Sequence, residues 1–220
     1  MTAIWPWVVL FGLGAFHGIN PGMGWLFAVC LGLQERTRKA VLAALPPIAL
    51  GHALSVGIIV ALIAVLRTNL QPRALKYSAA AILILYGVYR IVRARHPRWV
   101  GMRVGFGDLT LWSFLMASAH GAGLMLIPVF LATTSLDPHA AMSHQHPTGS
   151  HAAHFPVIAG PGFLTAAVVV HSLGYLLVAG VVALLVYEKL GLAILRTAWF
   201  NIDFAWALAL IATGTIVALM

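Results

Sequence analysis

The sequence predicts an all-α, polytopic six-helix transmembrane bundle with a 3+3 inverted-topology repeat and a broken first helix. Three observations carry this. Of 220 residues only 8% are charged and 61% are hydrophobic, with a mean hydropathy of +0.96, whereas a soluble domain carries about a quarter charged residues. Six apolar segments are each long enough to cross about 30 Å of hydrocarbon, which takes roughly 20 helical residues. The two halves of the chain also read as copies of one another.

The segments run approximately from 4 to 33, 40 to 66, 74 to 92, 109 to 133, 160 to 187 and 198 to 219. Within the first, the stretch FHGINPGMG from Phe16 to Gly24 supplies the only strongly polar residues, His17 and Asn20. Pro21 lacks a backbone donor, and Gly18, Gly22 and Gly24 weaken the helix around it, so a break or kink is expected there. In hydrocarbon such a break is tolerated only where it faces protein or a water-filled cavity. Gly12, Gly14, Ala15 and Gly18 form a small-residue face suited to close helix packing. Pro46 and Pro47 are expected to kink the second helix and Pro128 the fourth. Trp5, Trp7, Trp99, Trp112 and Trp199 fall near segment ends, as an interfacial belt requires.

Orientation follows from the connections. Loops one, three and five hold Arg36, Arg38, Lys39, Arg90, Arg93, Arg95, Arg98, Arg103, Lys189 and Arg196, ten of the thirteen basic residues. Loop two holds Arg67, Arg73 and Lys76. By the positive-inside rule both termini face outward in a multi-pass protein of a bacterial-type inner membrane. The net charge of +8 therefore serves orientation and anionic lipid, and nucleic acid is set aside as a partner. Cys30, a single cysteine, excludes an internal disulfide and any two-thiol relay. The N-terminus has neither a charged n-region nor a small-residue cleavage site, so the first apolar run is read as part of the mature protein.

The repeat divides the chain into residues 1–106 and 107–220, with a His-rich external loop, 135–156, inserted in the second half. AFHGINPGMGWLF followed by GHALSVGIIVAL is matched by SAHGAGLMLIPVF followed by VHSLGYLLVAGVVAL. His17 corresponds to His120, and His52 to His171. Three helices per copy is an odd number, so the second copy enters from the opposite side, and sites in such folds form near the midplane at the repeat interface. Each of the four histidines lies about 16 to 20 Å from a membrane surface at 1.5 Å per residue. A lone membrane histidine is usually a hydrogen-bonding partner for a neighbouring helix. Four at one depth in repeat-related positions point instead to a ligand set for a metal ion: His17, His52, His120 and His171.

Two features are auxiliary. Asn20 and the broken backbone beside it would assist the site, and Asp203 is the one carboxylate within a span, suited to proton relay or outer ligation. Loop four carries His139, His144, His146, His151 and His154 among Pro, Ser, Gly and Ala, a composition that captures metal loosely. Imidazole suits Zn, Cu, Fe and Ni. No Ser-His-Asp set, paired carboxylates, HExxH or phosphate loop is present, so no catalytic residue is assigned and a transporter is favoured over an enzyme. Met23, Met116 and Met125 are read as apolar filler before Cu(I) donors. Haem is the lesser cofactor reading, because dihaem bundles carry two histidines on each ligating helix whereas here they are spread one per helix.

The break His17-Gly-Ile-Asn20-Pro21-Gly22-Met23-Gly24, the central histidine of GHALSVG, the 3+3 pattern and the His-rich loop resemble the lysine-exporter superfamily, nearest the nickel/cobalt permeases and the hydrogenase- and urease-accessory membrane proteins. The sequence departs from the nickel/cobalt pattern, which has an acidic residue or second histidine where Asn20, Pro21 and Gly22 stand, and it lacks the paired cysteines of the cytochrome-biogenesis thiol carriers. The resemblance implies a permease for a divalent transition metal such as nickel, cobalt, copper or zinc. Its partners would be the lipid bilayer, the metal ion, and a second copy of the chain or an accessory metalloenzyme. The alternatives are a membrane redox or metalloenzyme-assembly protein holding haem or copper, and a structural membrane subunit.

Overall fold

The structure, a computed structural model, describes residues 4–69, 71–92, 105–130, 160–190 and 202–219, with the side chains of 67, 68, 72, 190, 202 and 203 outside that description. The five histidines of loop four therefore lie outside the described residues. All regular structure among the described residues is helical.

The break foreseen in the first apolar segment falls where Asn20 and Pro21 stand. Helix α1 (Trp5–Ile19) begins with Pro6 in its first turn, where a missing N–H costs nothing, and stops at Asn20, whose backbone is extended. The Asn20 side chain accepts from the Gly22 N–H at 2.9 Å and starts a 3₁₀ turn over Pro21–Met23. Gly24 then adopts φ +121, a conformation that L side chains rarely take, and α2 (Trp25–Glu35) departs from it. The Trp25 indole N–H ties the two pieces together by donating to the Ile19 carbonyl at 3.1 Å.

Arg36 in the left-handed region ends α2, and Thr37 accepts from the Ala40 N–H at 3.2 Å at the start of α3 (Arg38–Asn69). Pro46 and Pro47 lie inside α3, which runs on through them as one helix. Helix α4 spans Pro72–Val92 and α5 spans Phe106–Ala119. After α5 the chain bends by 51° into a short helical piece, Leu124–Phe130. The bend expected at Pro128 lies earlier, at Gly121 with φ +68, because glycine reverses the backbone there and Pro128 sits inside the piece that follows. Helix α6 (Pro161–Leu185) passes into a π-helical turn, Val186–Leu190, and α7 covers Ile202–Leu219.

Among the described residues three helices are long and apolar enough to cross a membrane, within Arg38–Leu66, Arg73–Val92 and Pro161–Lys189, and the bent pair around Gly121 makes a fourth when the two pieces are taken as one span. The segments expected to be the first and sixth spans form shorter apolar helices, Trp5–Ile19, Trp25–Glu35 and Phe204–Leu219, none of which is by itself long enough to count among these. Several residues assigned to loops are helical: Arg38 and Lys39 open α3, and Arg90 is in the last turn of α4.

Helix packing follows the glycines. Helix α1 lies on α6, α3 on α5, and α4 on α7, while α3 also touches α2 and α6. A Cβ on Gly14 would collide with the carbonyl oxygen of His171, one on Gly174 with that of Phe11, and one on Gly51 with that of Thr110. Gly87 and Gly214 bring α4 and α7 together in the same way, against the Ala207 and Ala80 carbonyls. Lipid tails are as apolar as leucine, so such close backbone approach supplies the association that the hydrophobic effect supplies in water. Of the predicted small-residue face, Gly14 and Gly18 meet α6, whereas Gly12 has open space around it.

Candidate metal-ion site

The exterior carries large apolar side chains such as Val8, Ile58, Leu85, Leu111 and Leu177, while all four central histidines are at most 1% exposed. Burying imidazole among apolar side chains costs free energy unless its nitrogens find partners. Where those partners are, and where they are missing, defines the site.

Three of the four rings form a triangle. The centroids of His17 and His52 are 5.6 Å apart, those of His17 and His171 5.1 Å, and those of His52 and His171 5.3 Å. His17 and His171 are each held by one nitrogen. His17 Nδ1 pairs with the Leu13 carbonyl one turn back at 2.6 Å, where the break leaves it at the last turn of α1. His171 Nδ1 crosses from α6 to the Leu10 carbonyl of α1 at 3.2 Å, a contact made available by the glycine-mediated approach of those helices. A carbonyl only accepts, so both Nδ1 atoms carry the proton and both Nε2 atoms expose a lone pair. Those Nε2 atoms, together with both nitrogens of His52, are buried with no hydrogen-bond partner. Each such orphan costs on the order of 1–3 kcal/mol.

Spacing and orientation give different answers about a bound ion. With nitrogen about 2.0–2.1 Å from a tetrahedral ion, imidazole centres stand about 5 Å apart, which the triangle matches. In-plane lone pairs must also converge, and His52 and His171 are nearly parallel, 11° between ring planes. Accordingly, no group of three or more His, Cys, Asp or Glu among the described residues stands ready to hold a metal ion. For the three lone pairs to converge on an ion, His52 would have to turn. No hydrogen bond fixes either of its nitrogens, and its tightest ring contact is a stack on Tyr175, 3.9 Å between centroids and 11° between planes.

His120 is joined to this triangle through Trp206, whose ring is 4.5 Å from that of His17 and 5.8 Å from that of His120, edge-on to both. The Trp206 indole donates to the His120 carbonyl at 2.6 Å. His120 follows the end of α5, and its Nδ1 pairs with the Met116 carbonyl at 2.8 Å, the same one-turn-back contact that His17 makes. Its Nε2 points elsewhere, lying 3.3 Å from an Arg90 guanidinium nitrogen.

Asn20 is 4% exposed, and its Nδ2 is buried without a partner while its Oδ1 holds the Gly22 N–H. Asp203 stands in the first turn of α7, one turn before Trp206.

Sequence reasoning missed Tyr175, Trp206 and Arg90. Tyr175 is fully buried, and its hydroxyl donates to the Met23 carbonyl inside the break at 2.6 Å. It thus joins the broken segment of the first helix to the wall behind His52. A usable signal was present in its spacing: Tyr175 is one helical turn from His171 on the same face. Tyr175→Phe keeps the ring stack and leaves the Met23 carbonyl without its donor. The expected result is a loss of about 1 to 1.5 kcal/mol in stability, with metal stoichiometry unchanged, checked by thermal melting and elemental analysis of the same preparation.

Fold and site together define an all-helical protein, with several helices able to span a membrane, built around a buried polyhistidine centre. No family model, curated protein or solved structure matches the chain.

Proposed function

We propose that the chain is a membrane permease for a divalent transition-metal cation of the nickel, cobalt, zinc and copper class, which binds at His17, His52 and His171 on its way through. The carrying observation is the set of four partnerless ring nitrogens inside a triangle whose sides are 5.1 to 5.6 Å. A purely structural histidine would use its nitrogens to bond neighbouring helices. His17 and His171 each bond one carbonyl and leave Nε2 unpaired, His52 leaves both nitrogens unpaired, and a bound ion that accepts lone pairs would repay that cost.

The 3+3 inverted repeat belongs to the same proposal, with six spans, outward termini and an inner-membrane location. Helix pairing supports it. Exchanging the first three segments for the last three turns the α1–α6 contact into the α5–α3 contact and leaves the α4–α7 contact unchanged, and these are all observed. The matching one-turn-back bonds of His17 and His120, each in or just after the last turn of its helix, support it further. Rocking of one repeat against the other would then switch access. Loop four would gather metal outside, and Asp203 would couple movement to protons.

The test is metal content of detergent-purified protein lacking residues 135–156, loaded separately with Ni, Co, Zn and Cu and then dialysed. About one ion per chain is expected for at least one metal, falling to background in the His17→Ala, His171→Ala double variant. Retention of the ion by the double variant, or no ion from any of the four metals, sinks the proposal.

A further inference from the structure

We propose that the cleft at the shared end of α2, α3 and α6 binds the headgroup of an anionic phospholipid, with Arg36 and Lys189 holding its phosphate. The site is separate from the buried histidines and needs only that α3 and α6 span a membrane.

The ends of two helices set where the cleft lies. One candidate span begins at Arg38 and another ends at Lys189, and these two residues line one cleft of about 480 Å³ together with Leu33, Arg36, Tyr187 and Glu188. Both apolar spans therefore give out at one level on one side, which is where a bilayer places its headgroups. Small-molecule sites commonly enclose about 300–1,000 Å³, so a headgroup has room. The base of the cleft is closely packed: a Cβ on Gly32 of α2 would stand 2.3 Å from the Val41 side chain of α3 and 3.1 Å from the Tyr187 ring. The wall after α6 is the π-helical turn Val186–Leu190, an interruption of the helix that recurs at functional sites.

Charge selects an anion. Three cations, Arg36, Arg38 and Lys189, share the lining with one carboxylate, Glu188, a net charge of +2. Glu188 is taken up by Arg38 at 2.6 Å, and among the described residues neither Arg36 nor Lys189 has an ion-pair partner. Glu35 and Lys39, the nearest charges along the chain, offset one another. A guanidinium grips a phosphate with two parallel N–H donors and an ammonium adds a point charge, the pair that Arg36 and Lys189 supply. Two features favour a lipid over free phosphate. Leu33 and Tyr187 give the cleft an apolar side. Leading up to it, Leu177, Val181 and Leu185 project from α6 at four-residue intervals, each roughly half exposed, and Lys189 follows one turn later, so an acyl chain has a track that ends at the cation.

The alternative is that these cations only complement the carbonyl ends of α2 and α6, which predicts lower stability on their removal and no choice among lipids. The full chain is stripped of lipid in neutral detergent, and melting curves confirm that each variant is folded. Native mass spectrometry then follows binding of phosphatidylglycerol and of phosphatidylcholine with the same acyl chains. The wild type is expected to take one phosphatidylglycerol in preference to phosphatidylcholine. The Arg36→Gln, Lys189→Gln double variant should bind phosphatidylglycerol about 30-fold more weakly, and Glu188→Gln, which releases Arg38, about fivefold more tightly, at the usual worth of one charge beside an anionic lipid. Arg73→Gln with Lys76→Gln removes the same charge from the start of α4, beyond the far end of α3, and should leave affinity unchanged. Inorganic phosphate in large excess should not displace the lipid. The proposal is overturned if no phosphatidylglycerol binds, if the two lipids bind equally, if the two double variants lose equally, or if Glu188→Gln binds no more tightly than the wild type. Displacement by inorganic phosphate overturns it as well, because the cleft is then a site for free anions. Metal plays no part in these readouts, so their outcome is independent of the permease reading.

Discussion

His52→Leu is expected to abolish metal-dependent transport while leaving the protein as stable as before or slightly more so. Most substitutions of a fully buried side chain damage the fold, but neither nitrogen of His52 has a partner to lose. Leucine fills most of the same volume and relieves two buried orphans, each of which costs on the order of 1–3 kcal/mol. Misfit against the Tyr175 ring, 3.9 Å away in the native stack, returns part of that gain. Metal binding has no such compensation. One of the three proposed ligands is gone, and since mutating even an outer-shell partner of a metal site typically costs 10–100-fold, affinity should fall by at least about 100-fold. Thermal melting and metal titration on the same sample check both halves. A large loss of stability with metal binding intact would mean that His52 is a structural core residue.

The second large effect is steric and starts from a glycine. Gly14→Ala places a methyl group onto the carbonyl oxygen of His171, with the Tyr175 backbone nitrogen also at 3.0 Å. Both neighbours are helix backbone, so nothing flexible can yield, and α1 and α6 must separate. Overpacking costs about 1–3 kcal/mol, occasionally more, and this contact belongs at the upper end. The same displacement stretches the bond from His171 Nδ1 to the Leu10 carbonyl, already 3.2 Å, and opens the triangle. Gly14→Ala should therefore lower the melting temperature and the metal affinity together. Gly12→Ala, on the same helix with nothing within 4 Å of the new methyl group, is the control and should change neither. Equal behaviour of the two variants would remove the α1–α6 approach as the device that sets the site.

The polar centre was legible in the sequence for an elementary reason. In an apolar chain a histidine far from either end of its segment has nowhere to go but inward, so all four central histidines are buried as their positions implied. The break after His17 was legible because Pro21 removes a backbone donor and Gly18, Gly22 and Gly24 weaken the helix around it. Gly121 carried no comparable warning, since an isolated glycine is common in membrane helices, and the bend was expected at Pro128 instead. Arg90 read as a loop cation because charge near a segment end is ordinary, and its inward reach to His120 depends on α4 lying beside α5.

What the sequence by itself determined is burial: which side chains must leave lipid, and where the backbone can no longer be helical. Those are local properties of residue type and spacing. His17 and His120 each engage Nδ1 locally, with the carbonyl one turn back in the same helix, but the partners of His171 Nδ1 and of His120 Nε2 were decided by tertiary structure, because they belong to other helices. Leu10 is brought to His171 by an α1–α6 approach that glycine permits, and Arg90 reaches His120 from α4. The same four residues thus separate into three whose Nε2 has no hydrogen-bond partner and one, His120, whose Nε2 meets Arg90.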